Sequence, residues 1–411
     1  MRKKSWCCDA GFTPDSPDVR REAPSMGVQD CAAEQAAAAT AATTAATKAA
    51  AGAAAAADTG VELDELDRAV VHALQIHPRA PWTLVGEVLG VNPVTAARRW
   101  HRLEEAGLAW VTAYPRLSNS RIVVSGVVEV DIEPGVAEDV ARTLAADPAV
   151  ANLKLTAGGR DLVASVQARS LDELARVTTL LFQRTPGVRA TRTHVSTGVS
   201  TEGSRWRLRS LDDSQSARIQ AAVPPTGRPV PAAVARWDAL DARLLELLSV
   251  DGRMSLRDLA LATDTSLTTV RRRVQSLVAS RLSLRCDLAR PLSGWPLSAV
   301  YFASVPGQHV EETSRVLAGV REVRSCAITA GPHNLVIDVW LRDLRDVHAF
   351  EAHLSRRLPR LTVADRSVVL RTIKHMGHLL DHDGRCVGVV PLRHPQGPRS
   401  AAAGSVVGSA L

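Results

Sequence analysis

The chain has 411 residues, room for about three domains at roughly 150 residues each, with 45% hydrophobic and 23% charged residues, enough to bury ample core. Only 3% of residues are aromatic, which argues against an aromatic-rich sugar site or a single-strand stacking platform, and six cysteines without C-x-x-C or zinc-finger spacing argue against a disulfide framework. The net charge of +7 rests on 45 arginines and five lysines against 43 acids, an imbalance too diffuse to name a partner until its location is known.

In chain order, Met1 to Cys8 is basic, but no leucine-rich segment follows to make a signal peptide. No apolar run reaches transmembrane length, so the expectation is a cytoplasmic protein without membrane contact. From Ala32 to Ala57, 18 of 26 residues are alanine with no apolar stripe to dock, and residues 1–60 read as a disordered tail.

Residues 61–112 carry three short helical patterns. Leu66, Val70 and Leu74 mark one apolar stripe, and Val85, Val88 and Leu89 a second. Gly90-Val91 is a turn, Asn92 an N-cap, and Pro93 suits the first position of a third helix with Ala96, Trp100 and Leu103 inward. Gly107 closes it. Two helices joined by a short turn, with a third packed on them, is helix-turn-helix geometry.

Over 118–202 the period changes. Val124, Val128 and Val130 alternate as a strand; Val136, Val140 and Leu144 mark a helix; Val150–Leu155 and Asp161–Gln167 are strands around Thr156-Ala157-Gly158-Gly159-Arg160. A helical stripe at Leu171, Leu174 and Leu181 and a strand at 188–195 complete βαββαβ, the ferredoxin-like order.

Residues 203–235 hold Pro224, Pro225, Gly227, Pro229 and Pro231 and read as a linker, with a flexible span of roughly 30 Å.

The pattern then returns. Leu63-Asp64-Glu65-Leu66-Asp67 recurs as Trp237-Asp238-Ala239-Leu240-Asp241, Arg98-Arg99 as Arg272-Arg273, and Thr156-Ala157-Gly158 as Thr329-Ala330-Gly331. A period this long is a duplicated domain pair rather than a solenoid. Residues 236–288 form a second helix-turn-helix and 294–380 a second βαββαβ domain, with a disordered tail over 384–411. The expected class is α+β: two tandem copies of a winged-type helix-turn-helix followed by a ferredoxin-like domain.

From Thr265 to Arg285 five arginines meet no acid. On the last helix of a repeated tri-helical pattern, this density points to DNA rather than to a solvated face. The candidate DNA-contacting residues are Asn92, Val94, Thr95, Arg98, Arg99, His101 and Arg102, then Thr268, Thr269, Arg271, Arg272, Arg273 and Gln275. Trp100 reads as core. His375, His378 and His382 have suggestive spacing, but follow the last strand into a polar stretch, and no metal or cofactor is assigned.

The motifs Leu63-Asp64-x-x-Asp67, Leu74-Gln75, Arg79, Arg98-Arg99 and Leu103-Glu104-x-x-Gly107 resemble the leucine-responsive regulator (Lrp/AsnC) family. So do Asp238, Leu240-Asp241, Asp251-Gly252-Arg253-Met254-Ser255, Leu259-Ala260 and Arg272-Arg273-Val274, and the likeness covers about 62–200 and 236–376. Departures fall at Pro81-Trp82 and Gly86 in the first copy, and at Asp264-Thr265 and Arg281 in the second. The resemblance implies a non-enzymatic transcription regulator that binds double-stranded DNA and answers to an amino-acid-like effector. Such an effector would sit at Thr156, Gly158, Gly159 and Asp161, with Thr329, Gly331 and Asn334 as second-copy equivalents. It also implies pairing of βαββαβ domains, here as an intrachain pseudo-dimer open to further homo-oligomerisation. Siroheme decarboxylases resemble the same unit; His194 and His333 are the histidines available for that alternative, whose histidine-tyrosine-arginine strand motif is not found. A metabolite-sensing partner protein without DNA binding is a third reading.

Overall fold

The computed structural model describes residues 63–116, 123–223 and 237–392. The first copy contains α1 (Glu65–Ile76), α2 (Trp82–Leu89), α3 (Pro93–Glu105), β1 (Ala109–Pro115), β2 (Val124–Ile132), α4 (Ala137–Ala145), β3 (Val150–Ala157), β4 (Leu162–Ala168), α5 (Leu171–Arg176) and β5 (Val188–Thr201), followed by α6 (Asp213–Ala221). The second contains α7 (Ala239–Val250), α8 (Leu256–Ala262), α9 (Leu267–Ser280), β6 (Leu282–Leu288), β7 (Leu297–Ser304), α10 (Val310–Ala318), β8 (Val323–Ala330), β9 (Leu335–Leu341), α11 (Asp346–Arg357) and β10 (Thr362–His375). A hairpin, β11 (His378–Leu380) and β12 (Cys386–Val389), ends the described chain.

Local chemistry sets the helix boundaries. Asp64 accepts the Asp67 amide at 2.8 Å while Asp67 accepts the Asp64 amide at 3.3 Å, a reciprocal cap that starts α1. The two departures in the turns have physical reasons. A Cβ on Gly86 would stand 2.9 Å from the Pro93 backbone nitrogen, so the α2–α3 crossing admits only glycine. In the second copy Asp264 takes the left-handed turn conformation itself (φ 45), which aspartate tolerates better than most residues. Inward side chains on the third helix of each copy are buried: Ala96, Trp100 and Leu103, and Val270, Val274 and Leu277. Each large one contributes roughly 1.5–3 kcal/mol on burial.

The two βαββαβ units pair with each other. Strand β5 pairs with β2 through Val188 to Val195 and then with β8 through Val195 to Thr201. Strand β10 does the same, pairing with β7 and then β3. The ring β10-β3-β4-β2-β5-β8-β9-β7 closes back on β10. Period-two alternation divides its faces. Val128, Val130 and Ile132 pack outward under α4 and α5, whereas Val127, Val163, Val300, Phe302, Val336 and Val369 meet between the copies. Each strand end therefore finds a partner that its own copy lacks.

Two boundaries differ from expectation. The segment read as a linker is structured over 203–223. Leu211 and Ile219 are buried in the first helix-turn-helix core, and Asp212 caps α6 through the Gln215 amide at 2.7 Å. The two isolated apolar anchors, Leu211 and Ile219, have no visible period in the sequence. Residues 224–236 lie outside the described residues, and the 30 Å span no longer applies to the whole segment. The C-terminal boundary also moves: residues 384–392, expected as tail, include β12, whose Cys386 amide donates to Gly107 O at 2.8 Å. Gly384 (φ 76) makes the hairpin turn, and Leu392 is buried beside Tyr114 and Met376. The remaining tail residues, 1–62 and 393–411, lie outside the described residues. Within the first βαββαβ unit the stripe 171–181 is not one α-helix: beyond Arg176 it widens through Val177–Phe182, with Gln183 N donating to Thr178 O.

An imidazole and a carboxamide of α1 anchor the start of the strap: Gln75 Oε1 accepts the Leu208 amide at 2.8 Å. His72 Nδ1 accepts the Ser210 and Leu211 amides at 3.0 and 2.9 Å. Burial, with Arg207 and Arg209 nearby, lowers His72 from 6.5 to about 4. The neutral form is thus favoured in the fold. Its contribution, on the order of 3 kcal/mol, is complete above pH 6.5 and is lost as pH falls toward 4. Amide exchange at Ser210 and Leu211, corrected for intrinsic rates, is expected to accelerate across that window; unchanged protection at pH 4 would refute the anchor.

Candidate nucleic-acid interface

The opening Asp-x-x-Asp motifs hold the third helix of each copy. Arg99 Nη1 lies 2.5 Å from Asp64 Oδ2 and 3.5 Å from Asp67 Oδ1, and Arg102 also pairs with Asp67. In the second copy Arg273 Nη2 lies 2.6 Å from Asp238 Oδ2 and Nη1 3.4 Å from Asp241 Oδ1, which Arg281 also approaches. Asp67 and Asp241 are fully buried. Burial raises Asp241, and the arginines pull it back. Three of the expected DNA-contacting arginines, Arg99, Arg102 and Arg273, are therefore committed to holding the fold. Sequence pattern did not separate them from their neighbours because the acids lie about 35 residues away.

The others face outward. Arg98, His101, Arg271, Arg272 and Gln275 are exposed, with Thr268 and Asn92, and Val94 is 74% exposed. Thr95 and Thr269 are half-buried. Asn92 and Ser266 are occupied as caps, accepting the Val94 and Thr269 amides at 2.8 and 3.3 Å. Arg98, Arg271 and Arg272 enter no ion pair among the described residues, whereas His101 sits 3.5 Å from Glu104. Arg271 and Gln275 also border a cleft of about 980 Å³ opposite Ile76 and Pro78 of the first copy. Free guanidinium groups on an exposed helix face can bridge phosphates or guanine edges.

The two helix-turn-helix units are joined. Strands β1 and β6 pair antiparallel from Ala109↔Leu288 to Pro115↔Leu282. Arg79 donates to Gly252 O and Met254 O at 2.6 and 2.9 Å, and its equivalent Arg253 donates to Pro78 O and Ala80 O at 2.7 and 3.0 Å. This reciprocity fixes the relative placement of α3 and α9.

At the expected effector loops the side chains have structural work. Thr156 Oγ1 donates to Arg160 O at 2.9 Å and Thr329 Oγ1 to His333 O at 2.5 Å. Asp161 Oδ2 accepts the Ile132 amide at 2.7 Å, and Asn334 Oδ1 accepts the Val305 amide at 3.0 Å. Aspartate and asparagine thus do the same job, and Asp161 is already occupied at the position expected to meet a ligand ammonium group. Gly158, Gly159 and Gly331 are exposed, and Gly158 has φ 114.

His194 and His333 do come together, with rings 6.1 Å apart. His194 Nε2 lies 2.5 Å from Glu129 Oε1, and Arg160 pairs with the same carboxylate, so His194 belongs to a buried ion network between the copies. The three late histidines separate: His375 faces Asp287 and Arg285, His378 stacks on Trp110, and His382 approaches Arg371. Among the described residues no group of three or more His, Cys, Asp or Glu is placed to hold a metal. The run Arg205-Trp206-Arg207-Leu208-Arg209, inside the segment that reads as linker, alternates arginine with apolar residues, a pattern consistent with an ordered, charged strap.

The AsnC-type helix-turn-helix domain model matches residues 63–104 and 238–278, and the Lrp/AsnC ligand binding domain model matches 125–205 and 298–379. An uncharacterised HTH-type transcriptional regulator of Pyrococcus horikoshii is 29% identical over 146 residues, 35% of this chain and 91% of that protein. The proline dehydrogenase transcriptional activator of Rhizobium radiobacter is 27% identical over 147 residues, 34% of this chain and 93% of that protein. Among solved structures, the siroheme decarboxylase NirDL has a TM-score of 0.48 at 15% identity, covering 76% of this chain and 93% of that one. AsnC of E. coli has a TM-score of 0.29 at 21% identity, covering 33% of this chain and 93% of that one. Neither structural likeness bears on chemistry.

Proposed function

Because the chain belongs to the Lrp/AsnC family, with the DNA-binding and ligand-binding domains each present twice, it is a DNA-binding transcription regulator, and we propose that one chain supplies both readers of an asymmetric operator. The observation that carries this reading is the pair of exposed, unequal recognition faces held together by β1–β6. Arg98 and His101 stand on one, and Arg271, Arg272 and Gln275 on the other. Unlike faces read unlike half-sites. The expected operator is an imperfect palindrome with half-sites about one helical turn, roughly 34 Å, or a multiple apart. Footprinting on DNA from its own upstream region, with mobility shift of each half-site alone, tests this. A perfectly symmetric footprint, or equal affinity for both isolated half-sites, would overturn it.

The effector we propose is a small amino-acid-like metabolite, held by backbone amides of the exposed turns at Gly158-Gly159 and Gly331 rather than by Asp161. Both turns lie within the matched ligand binding domain. Further assembly of the paired unit into larger homo-oligomers belongs to the same proposal.

A further inference from the structure

Beside the strap that leaves β5, a pocket of about 150 Å³ is lined by five arginines and by no carboxylate. Arg205, Arg207 and Arg209 come from the strap, Arg321 from the turn between α10 and β8, and Arg324 from the start of β8. Trp206 and Trp295 line the pocket, and Trp340 clusters with them, with Trp206 and Trp340 edge to face at 4.9 Å. Arg324 lies 4.2 Å from the Trp340 ring centroid and 5.1 Å from that of Trp206, and Arg321 5.0 Å from that of Trp295.

From this arrangement we propose that the pocket is a binding site for a small phosphate-bearing molecule, recognised through its phosphate group. Three observations support it. Arg205, Arg207, Arg209 and Arg321 enter no ion pair among the described residues, so like charges converge without a carboxylate, Arg207 Nη1 being met only by the Ser204 and Trp206 carbonyls. Arg324 is 3% exposed, and although its Nη2 donates to Asp287 at 2.7 Å, its Nε and Nη1 have no hydrogen-bond partner. Buried donors without acceptors are rare in native folds and call for a missing partner. Arg209 also holds a left-handed backbone (φ 61), a conformation that a non-glycine residue keeps only where its surroundings impose it.

Phosphate fits the chemistry: guanidinium forks bind its oxygens bidentately, and a dianion balances more of the converging charge than a single carboxylate does. The volume is roughly that of five liquid waters, enough for a phosphate or pyrophosphate group but not for a drug-sized ligand. Burial lowers Arg207 to about 10 and, with Arg285 nearby and despite the pairing with Asp287, Arg324 to about 9. The site is present in one copy only. At the offset of 173, Arg321, Arg324 and Trp340 fall on Pro148, Ala151 and Gln167. The strap continues to the His72 anchor, so an occupant would brace the connection between the second ligand-binding domain and the first helix-turn-helix.

The test is calorimetric titration of the full chain with inorganic pyrophosphate, and separately with inorganic phosphate, at constant ionic strength, with tryptophan fluorescence as a second readout. One site per chain is expected, weakened at least tenfold in the double variant Arg205→Gln/Arg321→Gln and unchanged in Arg98→Gln. Both substituted pocket residues are exposed, so the fold should survive, and circular dichroism checks that it does. Heats no larger than those of potassium chloride, or undiminished binding in the double variant, overturn the proposal. So does displacement of pyrophosphate by a short DNA duplex with matching loss of DNA affinity in the double variant, which would make the pocket a seat for the DNA backbone. The outcome is independent of how the recognition helices read DNA.

Discussion

Replacing Arg271 and Arg272 together with alanine is expected to weaken DNA binding by at least ~30-fold and to flatten its salt dependence. Both side chains are exposed on α9, and neither enters an ion pair among the described residues. If both contact phosphates, the slope of log affinity against log salt should fall by about 1.8, at roughly 0.9 per phosphate. If either reads a guanine, its loss costs about 1–3 kcal/mol and relaxes specificity at one position. Arg273→Ala is the contrasting variant. Its guanidinium pairs with Asp238 and with the fully buried Asp241, so its loss leaves that buried carboxylate with Arg281, at 3.4 Å, as its remaining ion-pair partner. Breaking a buried pair on one side costs about 3–5 kcal/mol, so this variant should lose thermal stability while its folded fraction keeps the wild-type salt slope. Unchanged affinity and slope in the Arg271/Arg272 variant would remove α9 from the interface.

Arg253→Ala is expected to destabilise the paired helix-turn-helix units by about 3 kcal/mol, and by about 1 kcal/mol more than Arg79→Ala. Each arginine donates two hydrogen bonds to carbonyls of the opposite copy. Only Arg253 also lies over an aromatic ring, 4.1 Å from the Trp82 centroid, because the second copy has Leu256 at the position equivalent to Trp82. That difference is the cation–π contribution. Denaturant unfolding gives the magnitudes, and a series of operators with altered half-site spacing gives the functional consequence. A loosened pair should accept spacings that the wild type rejects. Equal stability losses in the two variants would show that the ring contributes nothing, and an unchanged spacing preference would leave β1–β6 as the sole tie.

Much of this protein was decided locally and is readable along the chain. Asp64 and Asn92 start helices by accepting amides two or three residues away, and Gly90 ends one with a positive φ. Trp100, Leu103, Val274 and Leu277 face inward because a period of 3.6 puts them on one stripe. The duplication, the helix-turn-helix and the βαββαβ order all follow from patterns of this range, as does the clustering of arginine on the last helix of the second unit.

What only the tertiary structure decided involves partners far apart in sequence. Arg98 and Arg99 are neighbours of the same type, yet Arg99 meets Asp64 while Arg98 faces outward, a distinction made by the packing of α1 on α3. Residues 196–201 continue β5 with no clean apolar alternation, because their pairing partner β8 belongs to the other copy. The 203–223 strap and the β12 hairpin are ordered by scattered anchors, at His72, Gln75 and the buried Leu211 and Ile219 for the strap and at Gly107 and Leu392 for the hairpin, which leave no period in the chain. The arginine–tryptophan pocket likewise exists only where the strap crosses the α10–β8 turn. Caps and stripes depend on contacts within a few residues, so composition and spacing carry them. Clamps, ring closure and pockets depend on which distant groups arrive together, and that is set by the packing of whole elements.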